Sequence, residues 1–371
     1  MRDHRLLPAL ALAGVLAIGV AACGDDSDSG SSGGSNASSG GGGSLSGEIA
    51  GAGASSQEAA MQAWVTGFQD ANPDTTVSYD PVGSGGGREQ FVAGGTAFAG
   101  SDSALADEEL SGAQERCGGP DNLVELPVYI SPIAVIYNLD GVDGLQLSPA
   151  TAAQIFAQKI TNWNDPAIAA DNPDAQLPDQ RITVVNRSDE SGTTENFTDW
   201  LSQTAKSDWS YEVSGDWPVK GGEAAEGTSG VVSAVGAGQG TIGYADASQA
   251  GDLGVAKIKV GDTYVAPTPD EAAKVVDESE ESSDAGKYVF TYDINRTTMK
   301  PGTYPVILVS YQIACTKYDD ANQGKVVQGL MKYIVSPEGQ DAAAKAAGSA
   351  PISDQLRTQL EPAAAAVGGG A

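Results

Sequence analysis

Three short clusters of small residues stand where helices are expected to begin. They are Gly51-Ala52-Gly53-Ala54-Ser55-Ser56, Ser84-Gly85-Gly86-Gly87 and Arg187-Ser188-Asp189-Glu190-Ser191-Gly192-Thr193. A helix N-terminus leaves backbone N–H groups without partners and carries a partial positive charge, so such clusters suit an oxyanion. Hydroxyls at Ser55, Ser84, Ser191 and Thr193 add donors, and Arg187 adds a guanidinium. Each cluster has a plainer reading as a turn, and Ser55 with Glu58 also has the spacing of a capping box. Three clusters with one arginine favour an anion site over three unrelated turns.

Other chemistries are harder to build from this chain. The only histidine is His4, in a segment expected to be removed, so the mature chain lacks imidazole for a Ser-His-Asp triad or a His-ligated zinc site. No cofactor or metal site is expected. Gly238-Gln239-Gly240-Thr241-Ile242-Gly243 fits G-x-G-x-x-G formally, but a helix-like run precedes it and a strand-like run follows, the reverse of a dinucleotide site. Gly286-Lys287 and Gly324-Lys325 are followed by Tyr288 and Val326, so neither completes a P-loop.

The elements that position these clusters alternate. Thr75–Tyr79, Leu123–Asn138, Ile182–Val185 and Val306–Cys315 read as strands. Met61, Trp64, Val65 and Phe68 recur with helical spacing, as do Phe197, Trp200, Leu201 and Thr204. Ser148-Pro149 opens another helix, and Val326, Val327, Leu330, Met331 and Ile334 mark one near the C-terminus. Alternation of this kind predicts α/β layers. The stretch 270–286 is acidic and reads as a surface excursion with weak helical tendency, and Glu361–Ala371 is expected to fray.

The 371 residues carry 20 Lys+Arg against 49 Asp+Glu, a formal charge of −29, which excludes the basic face a nucleic-acid binder needs. Residues 1–22 have Arg2 and Arg5, an apolar run from Leu6 to Val20, and small residues before Cys23. This reads as a signal peptide, and Val20-Ala21-Ala22-Cys23 resembles the lipobox of bacterial lipoproteins, in which the cysteine is acylated. Residues 23–47 then form a Gly/Ser-rich tether, whose Gly24–Ser44 stretch has a reach of about 25 Å. With Cys23 carrying lipid, Cys117 and Cys315 remain as a pair in an oxidising compartment and are expected to form a disulfide.

Taken in order, the motifs resemble those of the phosphate-binding lipoproteins of phosphate ABC importers, the PstS family. The resemblance spans Leu45–Gln359 and rests on the three clusters together with Ala99-Gly100-Ser101-Asp102, Ile160-Thr161-Asn162-Trp163-Asn164-Asp165-Pro166 and Gly240-Thr241-Ile242-Gly243-Tyr244. It implies a two-lobed periplasmic-binding-protein type II fold with two inter-lobe crossovers, near Pro127–Ile133 and Tyr304–Ser310. Residues 48–130 and 309–371 would form one lobe and 131–308 the other, with phosphate in the cleft between them. By the same resemblance Ser55, Ser56, Ser84, Arg187, Ser191, Gly192 and Thr193 supply donors, Asp189 holds Arg187, and Asp102 is the one acceptor. Ser56 stands where the family usually has an aromatic and is expected to contribute only its backbone N–H.

The implied protein is a non-enzymatic, monomeric receptor, lipid-anchored outside the cell membrane, that delivers inorganic phosphate to a membrane permease. Competing readings are a receptor for another tetrahedral oxyanion such as sulfate or molybdate, a phosphomonoesterase with Ser191 as nucleophile, and a sensor that retains only the fold.

Overall fold

In the computed structural model, residues 45–282 and 284–369 are described; the stretch read as a signal peptide, Cys23 and almost all of the stretch read as a tether lie outside the described residues. The first strand, β1 (Gly47–Gly53), starts one residue inside the stretch read as tether, its Gly47 N–H bonded to Asp74 O at 3.0 Å. There follow α1 (Glu58–Ala71), β2 (Thr75–Asp80), α2 (Ser84–Val92), β3 (Phe98–Ser101), α3 (Asp107–Cys117) and β4 (Leu123–Asn138). Helix α4 (Pro149–Phe156) leads through a short helix, Pro166–Asp171, capped by Asp165, to β5 (Thr183–Arg187) and α5 (Gly192–Thr204). Then come β6 (Glu223–Ala225), α6 (Gly227–Ala237), β7 (Thr241–Asp246) and β8 (Ile307–Cys315). Three helices close the chain, α7 (Ala321–Val335), α8 (Pro337–Ala347) and α9 (Asp354–Ala366).

One mixed sheet runs β2-β1-β3-β8-β4-β7-β5-β6, with two short strands, Gly254–Val255 and Tyr288–Val289, also paired to β4. The β1–β2, β1–β3, β5–β7 and β5–β6 pairs are parallel, as α/β crossovers require, while β8 and β4 run antiparallel at the centre. The β4 sequence is an almost unbroken apolar run because the strand is buried on both faces along nearly its whole length. Its 16 residues span about 50 Å at the usual rise of a strand. It pairs with β8 from Leu123 to Pro132 and with β7 from Ile133 to Asn138. The change of partner falls at Pro132, which has no N–H to give a ladder. A register shift between Ser310 and Tyr311, opposite Tyr129 and Pro127, marks a second irregularity in the same pair.

Helices cover the sheet through the faces their spacing predicts. Met61, Trp64 and Phe68 of α1 are buried, as are Phe197, Trp200 and Leu201 of α5. Trp64 and Trp200 are each fully enclosed, which makes them large contributors to the hydrophobic term. Cys117, at the end of α3, and Cys315, at the end of β8, form a disulfide with Cα atoms 5.2 Å apart. It closes a 198-residue separation, and in the chain-entropy account such a loop contributes on the order of 5 kcal/mol.

Three expectations need correction. Gly85, Gly86 and Gly87 do not precede α2 but form its first turns, because the helix lies so close to β1 that a Cβ on Gly87 would sit 2.3 Å from Gly53 Cα. The C-terminal residues to Ala366 do not fray: Ser353 caps α9, Leu360, Ala363, Ala364 and Val367 are buried, and Gln328 Nε2 donates to Ala365 O and Val367 O at 2.7 and 2.8 Å. Alanine's high helix propensity and small volume, read as weakness, here permit close packing. The 270–286 stretch begins with a capped helix, Pro269–Val276, whose Ala272, Val275 and Val276 are buried. It is therefore less of an excursion than its composition suggested.

Candidate functional site

The three clusters meet. The Gly192 Cα lies so near the Ser84 and Asp102 side chains that a Cβ there would come within 2.7 Å of Ser84 Oγ and 2.8 Å of Asp102 Cβ. Only glycine lets the start of α5 approach the start of α2 and the loop after β3. The first turn of α6 joins them: Gly227 N–H donates to Asp189 Oδ1 at 3.1 Å, and Thr228 N–H to Ser55 Oγ at 3.0 Å. Helix N-termini thus converge from α1, α2, α5 and α6, which pools their dipoles and free N–H groups on one spot.

Asp102 is the centre of the cluster and is 2% exposed. Ser56 Oγ donates to its Oδ1 and Oδ2 at 2.6 and 2.7 Å, Ser310 Oγ to Oδ1 at 2.7 Å, and Thr193 Oγ1 to Oδ2 at 2.9 Å. Its backbone N–H donates to Ser84 Oγ at 3.1 Å, which leaves the Ser84 hydroxyl proton free to donate elsewhere. A carboxylate has about four acceptor positions, so the three hydroxyl protons leave room for one more.

Arg187 is 3% exposed and is held in the plane of Asp189, Nε to Oδ1 at 2.8 Å and Nη2 to Oδ2. Burial pushes the Asp189 carboxyl up, but the hydrogen bond and charge of Arg187, helped by the Gly227 N–H, hold it below the usual carboxylate range. The Asp189 carboxylate therefore stays ionised, and this fork-to-fork geometry leaves Nη1 as the Arg187 nitrogen not engaged by Asp189. Ser191 is the N-cap of α5 and accepts from Thr194 N–H at 3.2 Å, so its hydroxyl keeps its proton to donate. Ser55 faces Thr228 Oγ1 at 3.0 Å. The capping box open to Ser55 and Glu58 is not formed, since α1 has Gln57 at its N-cap position with no side-chain cap.

All eight residues read from the sequence as donors or acceptor, Ser55, Ser56, Ser84, Asp102, Arg187, Ser191, Gly192 and Thr193, are buried and lie in this one region. Ser56 adds a side-chain contact beyond the backbone N–H expected of it. Several residues were missed. Ser310, on the long strand β8, donates to Asp102, and Gln57 Nε2 donates in turn to Ser310 Oγ, with Gln312 Nε2 donating to Gln57 Oε1 at 2.6 Å. Thr228 was missed although Gly227-Thr228-Ser229-Gly230 is a small-residue cluster at a helix start, the signal used for the other three. Asn196 and Arg88 also bear on the site: Asn196 Nδ2 reaches Asp102 O at 2.7 Å, and Arg88 Nη1 reaches Ser101 Oγ at 2.9 Å.

An α/β body organised around a ten-stranded mixed sheet, with helix N-termini gathered around a buried carboxylate and guanidinium, defines a class of binding proteins. Residues 37–338 match the PBP superfamily domain. The chain is 36% identical to phosphate-binding protein PstS 3 of Mycobacterium tuberculosis over 366 residues, covering 96% of this chain and 98% of that one. It is 33% identical to PstS 2 of the same organism, over 96% and 97%. The chain belongs to this PstS phosphate-binding protein family. Among solved structures, a phosphate-binding protein from Stenotrophomonas maltophilia superposes with TM-score 0.66 at 21% identity, over 85% of this chain and 93% of that one. A protein from Clostridium perfringens solved with bound phosphate gives 0.61 at 19%, over 83% and 100%. At those identities the likeness establishes the fold.

Proposed function

We propose that this chain is an extracytoplasmic receptor that binds one inorganic phosphate at the meeting point of α1, α2, α5 and α6 and delivers it to the membrane permease of an ABC importer. Membership of a family whose members are named for phosphate binding supports the ligand class. The observation that carries the mechanism is Asp102, one buried carboxylate in a ring of donors with a single acceptor position to spare. Phosphate at neutral pH still has a P–OH to fill that position. Sulfate has none and would set its lone pairs against a buried charge, and a site built on such hydrogen bonds rejects the misfit ion by as much as ~10⁴-fold. Ser55, Ser56, Ser84, Arg187, Ser191, Gly192 and Thr193 supply the donors, with Asp189 fixing Arg187.

The lobes divide where β4 changes partner, so that 48–130 and 309–371 form one and 131–308 the other. Their closure is the signal a permease reads. Acylated Cys23 and the following Gly/Ser tether anchor a monomeric body at the outer face of the membrane. The chain is a receptor and not an enzyme on this reading, for its relatives are named as binding proteins.

Calorimetric titration of the ligand-stripped body with phosphate and sulfate, in wild type and Asp102→Asn, tests this. Tight one-to-one phosphate heat with none from sulfate is expected in wild type, and a much smaller difference between the ions in the variant. Sulfate heat equal to phosphate in wild type would return the chain to the general oxyanion reading.

A further inference from the structure

Arg296 is 2% exposed and touches none of the hydroxyls that donate to the Asp102 carboxylate, yet every branch of its guanidinium is engaged. Nε donates to Asp199 Oδ2 at 3.0 Å, Nη1 to the backbone oxygens of Pro305 and Ile307 at 3.1 and 2.6 Å, and Nη2 to Asn196 Oδ1. Pro305 and Ile307 lie at the entry to β8, beside the point where β4 changes partner; Ile133 N–H donates to Val306 O there at 2.7 Å. Because Arg296 takes the Asn196 oxygen, the amide nitrogen must point the other way. It donates to Gly192 O at 2.8 Å and to Asp102 O at 2.7 Å, across 94 residues of sequence. A continuous chain of hydrogen bonds therefore runs from the start of β8, through Arg296 and Asn196, to the backbone of Asp102 and the first turn of α5.

We infer that Arg296 and Asn196 act as a positioning pair, fixing the register in which the Asp102 loop docks on the N-terminus of α5 without touching the ion. The inference rests on the phosphate reading of the site. Asn196 lies on α5, which follows β5 at one end of the sheet, and Asp102 directly follows β3 towards the other end, so this bond ties the two ends together across the site. Arg296 anchors Asn196 to the strand that passes between those ends. Cavities of about 260 and 340 Å³ flank Arg296, so water has room to replace a lost N–H contact. A point charge does not substitute for the fork, since Lys presents no planar set of donors to four acceptors.

The experiment measures phosphate affinity at 20 °C, and thermal melting without ligand, for wild type, Arg296→Lys, Asn196→Ala and the double variant. The expected result is a loss of phosphate affinity of at least tenfold in each single variant, with the double variant no weaker than the worse single, because both break one chain. Variants that melt earlier but bind phosphate as wild type does would reduce the pair to a structural role and overturn the inference. Strictly additive losses would do the same. If Arg296→Lys does not fold, Asn196→Ala alone must still lose affinity while remaining folded at 20 °C. Failure of wild type to bind phosphate would overturn the underlying reading, a result distinct from variants that bind normally.

Discussion

Two buried carboxylates in this molecule have opposite surroundings. Asp102 is surrounded by hydroxyl donors, from Ser56, Thr193 and Ser310. Ser56 alone reaches both carboxylate oxygens. Glu125, fully buried on β4, receives only the Leu105 N–H, at 2.9 Å on Oε1, while Oε2 has no partner among the described residues. Burial pushes its carboxyl up to about 8, against the opposing pull of the Leu105 N–H and of Arg88. Asp246 moves the same way, to about 6, again chiefly through burial. Both groups hold protons in the folded state that the unfolded chain has released, so folding takes up protons. Their contribution is complete below the unfolded values and is lost as pH rises through about 6 and then 8. The melting temperature of wild type should fall between pH 5 and 8.5, and Glu125→Gln should flatten that fall and exceed wild type at pH 8.5. An unchanged slope in the variant would place the proton elsewhere. Arg187 and Asp102 were legible because each sits in a compact motif. Ser310 was not, since its partner Asp102 lies 208 residues away and only the folded sheet brings the two together; Thr228 did carry the signal, a small-residue cluster at a helix start, and was passed over.

Among elements, α2 shows how a site is held by absence of side chain. Its glycine run looked like a loop because glycine weakens helices by about 1 kcal/mol relative to alanine. The helix tolerates that weakness in exchange for lying directly on β1, which sets Ser84 against Asp102 and Gly192. Gly87→Ala, aimed at Gly53 Cα and Ala52 O, should destabilise the fold by roughly 1–3 kcal/mol despite better helix propensity, and should weaken phosphate binding by displacing Ser84. Gly86→Ala meets only Val82, at 3.1 Å, and should be far milder. Denaturant melts of the two variants beside wild type would reveal equal stability if the close approach were unimportant. Strands were easier to read than this helix. β4 was legible to both ends because a strand buried on two faces writes its burial as an unbroken apolar run. Helix α9 was not, since its alanines carry no periodic signal and its stability comes from Leu360, Val367 and the capping reach of Gln328.

At the scale of the whole molecule, a formal charge of −29 opposes the approach of an anion that the local dipoles welcome. Screening at 0.1 M salt confines surface charges to about 10 Å, whereas the buried donors act undiminished at contact. The association rate for phosphate in stopped flow should therefore rise with salt from low ionic strength, and a steep fall would contradict this balance. The fold class was legible from the order of the motifs more than from any one of them. The bond between Cys117 and Cys315 has a further effect: it makes the chain from Gly118 to Ala314 a covalent ring. Arg187, Ser191 and Thr193 belong to the ring, while Ser55, Ser84 and Asp102 lie on the arm outside it. A protease that cuts once anywhere within the ring opens it but releases no fragment, and both halves of the cradle remain one molecule until a reductant arrives. Damage to this receptor would thus stay silent in an oxidising space and become dismemberment only in a reducing one.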